Sequence, residues 1–223
     1  FVFGAVANRV NFCTMGAVTD VVNFGDWRRM RMWVLAIAVA IAGAAFLAVT
    51  GLVDLTKSIY AGASVAWVSA LVGGFLFGFG MTLSSGCGSK TLIRAGAGNL
   101  KSWVVLFVLG IAAYMTLKGL FAVWRTAVLD PWKLDFGRFG VASSDLPALL
   151  GAAGLGAAAK VWVPVVIVLA LLAYVFKDRE FRTSKELIVG GIVVGLVIVG
   201  GWYISGHLGY LAEDPAKIGR AHV

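Results

Sequence analysis

Two cysteines carry the side chains in this chain best suited to chemistry, and each lies in an unusual local setting. Cys13 sits in Asn11-Phe12-Cys13-Thr14-Met15-Gly16, and Cys87 in Ser84-Ser85-Gly86-Cys87-Gly88-Ser89-Lys90-Thr91. A neutral thiol is polarizable and a weak hydrogen-bond donor, so it can touch a passing group without trapping it. Gly86 and Gly88 leave the backbone N–H groups beside Cys87 uncovered. A helix that restarts there would add partial positive charge. Lys90 and Arg94 follow within two turns, and Arg9 precedes Cys13. The ordinary alternative is that a cysteine in an apolar helix is a small buried hydrophobe. Lys90 and Arg94 are then topology signals, and Asn11 satisfies backbone where a helix breaks. Two cysteines without histidine company are no metal centre and no disulfide scaffold. A Cys13–Cys87 disulfide would consume both donors.

The elements that must position these thiols belong in lipid. The 223 residues are 60% hydrophobic and 13% charged, where soluble chains run at about a quarter charged. Mean hydropathy is +0.91. Allowing ~20 residues per crossing, roughly six spanning helices fit, with short re-entrant or half helices between them. The expected fold is an all-α polytopic membrane protein. A net charge of +8 arises from basic residues clustered in short loops, which is a topology pattern rather than a nucleic-acid surface. No Ser/His/Asp set, metal cluster or nucleotide loop stands out, so no enzyme, catalytic residue or cofactor is expected.

The hydrophobic runs fall into place around the thiols. Phe1 to Phe24 is apolar but holds Asn8, Arg9 and Asn11. A charge at membrane depth costs roughly 3 kcal/mol, so either the helix breaks there or Arg9 lies near an interface. Spans are expected over 33–53, 65–83, 101–123, 161–176 and 187–205, with a half-helix over 91–98. Residues 124–144 read as a loop and 148–159 as a short Ala/Gly helix. Gly74 and Gly78 form a small-xxx-small pair suited to close packing, and Trp and Tyr near span ends read as interface anchors. The basic loops at Arg28, Arg29, Arg31, at Lys90, Arg94, Lys101 and at Lys177, Arg179, Arg182, Lys185 are assigned to the cytoplasm. The chain opens on Phe1 and reads as a piece of a longer permease, one transmembrane domain over 1–217. Residues 218–223, Ile-Gly-Arg-Ala-His-Val, can be written as the translation of a sequencing adapter and are expected to be a non-native tail.

Two blocks, Asn8-Arg9-Val10-Asn11-Phe12-Cys13-Thr14-Met15-Gly16-Ala17 and Gly78 to Leu100, resemble the YeeE/YedE family of bacterial inner-membrane transporters of sulfur compounds. The resemblance implies pseudo-symmetric halves, short re-entrant helices and a pathway lined by cysteines, here Cys13 and Cys87, with a further cysteine block that this chain lacks. It implies uptake of thiosulfate or a related inorganic sulfur anion, passed along thiols without covalent change. Cys13, Cys87, Gly86, Gly88, Ser85 and Asn11 would form the pathway, and Lys90, Arg94 and Arg9 would attract the anion. The bilayer of the bacterial inner membrane and a cytoplasmic sulfur-transfer protein would be its surroundings. Two rivals remain: a membrane sulfur or selenium carrier working through cysteine persulfides, and a structural or channel subunit whose cysteines are incidental.

Overall fold

A computed structural model describes residues 1–53, 64–129, 131–132, 134–135 and 159–208. The chain is helical almost throughout these residues. Helices α1 (Val2–Arg9), α2 (Thr14–Phe24) and α3 (Arg28–Val49) come first, then α4 (Trp67–Leu83), α5 (Gly88–Gly96), α6 (Leu100–Lys118) and α7 (Leu120–Trp124). Helices α8 (Ala159–Phe176), α9 (Arg179–Thr183) and α10 (Lys185–Tyr203) complete the order. A two-residue antiparallel bridge pairs Ser64 with Asp135 and Val65 with Leu134. Among the described residues four stretches are long and apolar enough to cross a membrane: Arg28–Val49, Trp67–Gly96 counted through its break, Leu100–Lys118 and Lys185–His207. Val161–Phe176 is apolar but shorter.

The core is built where α3 meets α10. A Cβ on Gly190 would strike Val10, one on Gly191 the Met32 carbonyl, and one on Gly195 the Ala36 carbonyl, while Gly43 sits against Val199. The paired numbers rise together, so α3 and α10 run parallel, and small residues let their backbones approach closely. Met32, Leu35, Val175 and Phe181 are buried beside them. Arg31 closes one end of the bundle. Its guanidinium donates to the Tyr174 carbonyl at 2.6 Å, pairs with Asp178 at 3.2 Å and lies over the Tyr174 ring. The last carbonyls of α8 thereby gain partners that the helix itself cannot supply. The basic loops at Arg28–Arg31 and Lys177–Lys185 consequently share one end of the molecule.

Several expectations change. Among the described residues Gly74 and Gly78 meet nothing within 4 Å, and no residue of α4 is buried; the close-packing glycines there are those of α10 instead. The span expected over 101–123 is interrupted at Gly119, and the loop expected from residue 124 begins later, since α7 and a wider turn over Arg125–Leu129 carry helix to residue 129. The helix expected over 148–159 falls, apart from its last residue, outside the described residues, as does the 218–223 tail.

Candidate functional site

Helix α1 ends at Arg9, and the chain turns through Asn11 with φ at 50°. The Asn11 N–H donates to the Asn8 carbonyl at 3.4 Å and the Phe12 N–H to the Ala7 carbonyl at 2.9 Å. This is a Schellman closure, with a left-handed residue satisfying the last carbonyls of the helix. Cys13 follows in extended conformation and is the N-cap of α2.

Helix α4 ends the same way. Ser85 has φ at 57°, its N–H donates to the Thr82 carbonyl at 3.4 Å, and the Gly86 N–H donates to the Met81 carbonyl at 3.1 Å. Cys87, again extended, is the N-cap of α5. The second break thus repeats the first, bond for bond, at the 74-residue spacing that separates the cysteines. Neither Cys side chain caps its helix by hydrogen bond.

The two breaks meet where α1 packs on α5. Cys13 Sγ and Cys87 Sγ lie 3.8 Å apart, both buried and both free thiols. That distance is a thiol–thiol contact, far beyond a disulfide bond of about 2.05 Å. Thr91, buried one turn into α5, donates its hydroxyl to the Cys87 carbonyl at 3.2 Å. On the other side Phe12 stacks on Trp33, with centroids 5.1 Å apart and planes 13° from parallel. Each thiol therefore sits at a helix N-terminus, and Phe12, the neighbour of Cys13 in the chain, belongs to the aromatic stack.

The remaining predicted residues divide. Gly86 is buried and packs against the alkyl chain of Lys90, while Gly88 is half-buried with Leu109 nearest. Ser85 and Asn11 are exposed and supply the left-handed residues of the two turns. Arg94 reaches back to donate to the Ser85 carbonyl at 3.2 Å, so it braces the break. Arg9 is not at the thiols; it pairs with Glu186 at 3.3 Å on an exposed surface.

Three features escape sequence reading. Arg29 reads there as a loop cation, yet its Nη1 would lie 2.6 Å from a Cβ on Gly16, and it pairs with Asp20 at 3.0 Å. Gly16 therefore leaves the notch that brings a guanidinium to the first turn after Cys13. Trp33 reads as an interface anchor but has a buried indole N–H with no hydrogen-bond partner among the described residues. A polar cavity of about 480 Å³ opens beside Asn11, lined also by Arg9, Arg29, Lys185 and Glu186. No local signal marks these groups, because they come from segments far apart in the chain. Among the described residues no cluster of three His, Cys, Asp or Glu could hold a metal.

Comparison with known proteins gives this arrangement a context. A family profile described as sulphur transport matches residues 9–218. The chain is 27% identical over 241 residues to the thiosulfate transporter TsuA of Spirochaeta thermophila, covering 96% of this chain and 69% of that protein. It is 33% identical over 104 residues to the thiosulfate transporter TsuA of Escherichia coli, covering 47% of this chain and 28% of that protein. These relatives are transporters, not enzymes, and the apolar helices make this a multi-pass membrane protein. With a match running through both cysteine blocks and nearly the whole length, the chain belongs to the sulphur transport family.

Proposed function

We propose that the protein moves thiosulfate, or an inorganic sulfur anion much like it, across the bacterial cytoplasmic membrane at the junction of the two helix breaks. One observation carries this reading: two free, buried thiols 3.8 Å apart, each at the start of a helix that resumes after a break. A dianion entering lipid must exchange water for other donors. Broken helices with their N-termini turned toward an anion provide them, and unwound backbone is tolerated where it lines such a path. The S–H groups of Cys13 and Cys87 then offer weak, polarizable contacts to a terminal sulfur. Conduction needs binding weak enough to release, which a thiol satisfies better than a bidentate arginine.

Orientation follows from charge. Arg28, Arg29 and Arg31 share one end with Lys177, Arg179, Arg182 and Lys185, tied together by the Arg31–Asp178 pair. The positive-inside rule puts that end in the cytoplasm, where a sulfur-transfer protein would receive the anion.

The test is growth on thiosulfate as sole sulfur source in a bacterium lacking its own uptake. The gene carrying this chain should rescue growth, and Cys87→Ala or Cys13→Ala should abolish it. Uptake at the wild-type rate in Cys87→Ala would overturn the relay. A stable sulfur adduct on Cys87 during turnover would replace it with a persulfide carrier.

A further inference from the structure

We infer that the cavity beside Asn11 is a second anion site, an antechamber in which a small dianion of the sulfate or thiosulfate type is held one step to the cytoplasmic side of the thiols. The inference rests on the transport reading and gives Arg29 and Lys185, which there serve only orientation, a part in binding. The cavity, about 480 Å³, lies between the end of α1, the start of α3 and the start of α10. Three cations line it, Arg9, Arg29 and Lys185, against one carboxylate, Glu186.

Its position ties it to the thiols. Asn11 lines it two residues before Cys13, and Arg29 lies in the notch at Gly16, in the first turn after Cys13. An anion leaving the thiols on this side meets Arg29 next. Asp20 holds Arg29 at 3.0 Å, and only about a third of its side chain is exposed (32%), so it is a fixed donor. Arg9 and Glu186 are the movable pair. Their side chains are 78% and 74% exposed, and exposed ion pairs are worth about 0–1 kcal/mol, so a dianion can take the place of Glu186 beside Arg9. Lys185 is the third arm. It has no ion partner among the described residues, and it stands in the first turn of α10, where a cation opposes the helix dipole. A purely topological role would need basic residues at this end of the molecule. It would not need a glycine notch that seats one of them against the cysteine turn, nor a shared cavity.

The experiment presents labelled thiosulfate to the face that carries the cavity, measuring initial influx into inside-out vesicles by the full-length transporter with Lys185→Gln, Glu186→Gln and Gly16→Ala. Lys185→Gln touches no ion pair, and Gly16→Ala meets only the tip of a flexible side chain, so both variants should fold. Lys185→Gln should raise KM about tenfold, the loss of one charge-assisted contact, with kcat little changed. Gly16→Ala should raise KM by displacing Arg29, and Glu186→Gln should lower it. KM within twofold of wild type in all three would overturn the antechamber while leaving transport standing. Calorimetry on the purified Cys13→Ser/Cys87→Ser protein separates the two readings further. Thiosulfate and sulfate should still bind there, and binding should weaken when Lys185→Gln is added. No binding in the doubly substituted protein, or binding indifferent to Lys185, would overturn it as well.

Discussion

Asn11 and Ser85 are the two non-glycine residues with positive φ among the described residues, and each stands two positions before one of the two cysteines. Two helices are thus closed by the same left-handed turn, and each turn delivers a thiol to the N-terminus of the helix that follows. The resulting 3.8 Å contact between Cys13 and Cys87 is a product of two repeated turns and of the packing of α1 on α5.

Ser85 pays the conformational cost of that turn with a side chain unsuited to it. A left-handed residue with a Cβ costs roughly 1–2 kcal/mol, less for asparagine, whose side chain tolerates this region. Ser85→Gly should raise the thermal unfolding midpoint in detergent, a gain in stability on the order of 1 kcal/mol at most, because glycine also loses more entropy on folding. Asn11→Gly should change it less, and Ser85→Val should lower it. A lower midpoint for Ser85→Gly than for wild type would count against strain at this turn.

Proximity of the thiols is open to chemical test. Diamide, accepting the two hydrogens that the thiols lose, should join Cys13 to Cys87 in a disulfide. Both should then resist maleimide labelling until a reductant is added, and uptake should fall and recover in step. Full labelling of both residues after oxidation would mean that they do not meet.

The close approach of α3 and α10 depends on Gly195. A Cβ there would lie 2.9 Å from the Ala36 carbonyl and 2.7 Å from the Val39 Cβ, and neither neighbour is a flexible tip. Gly195→Ala should destabilise the protein by about 1–3 kcal/mol through overpacking. Gly78→Ala, on a face with nothing within 4 Å, should be close to neutral. Equal midpoints for the two variants would contradict this packing.

Asp26 makes a measurable pH dependence at the basic end. The hydrogen bond from Arg28, 2.7 Å from Nη2, holds its carboxyl below the ordinary aspartate value of 3.8, and burial opposes this only in part. A carboxyl lowered on folding stabilises fully above its unfolded value, and that contribution disappears as pH falls through the lowered one. Asp26→Asn should therefore be less stable than wild type at neutral pH, by a modest amount at this partly exposed site, and the gap should close in acid. A gap that persists unchanged below pH 3.8 would assign the effect to something other than this charge.

Trp33 offers a subtler test. Trp33→Phe keeps an aromatic ring against Phe12 and removes the buried N–H that has no partner among the described residues. If that N–H serves the passing anion, uptake should fall with stability preserved; unchanged uptake with higher stability would make it a merely uncompensated donor.

The sequence by itself determined that this chain lives in lipid, because 60% apolar and 13% charged residues leave no soluble solution. It also marked both helix breaks: Arg9 and Asn11 interrupt one apolar run and Gly86-Cys87-Gly88 ends another, and these are local signals that propensity alone makes legible. Tertiary structure decided what local signals cannot encode. It set Arg29 against Gly16, thirteen positions away, turned Arg94 back to brace Ser85, and drew Lys185 into a wall shared with Arg9. It also chose the glycines of α10 over Gly74 and Gly78 for close packing, since a small residue permits approach but only a neighbouring helix makes use of it. The thiols were visible as residues; their contact, joining positions 74 apart, exists because two distant turns pack together.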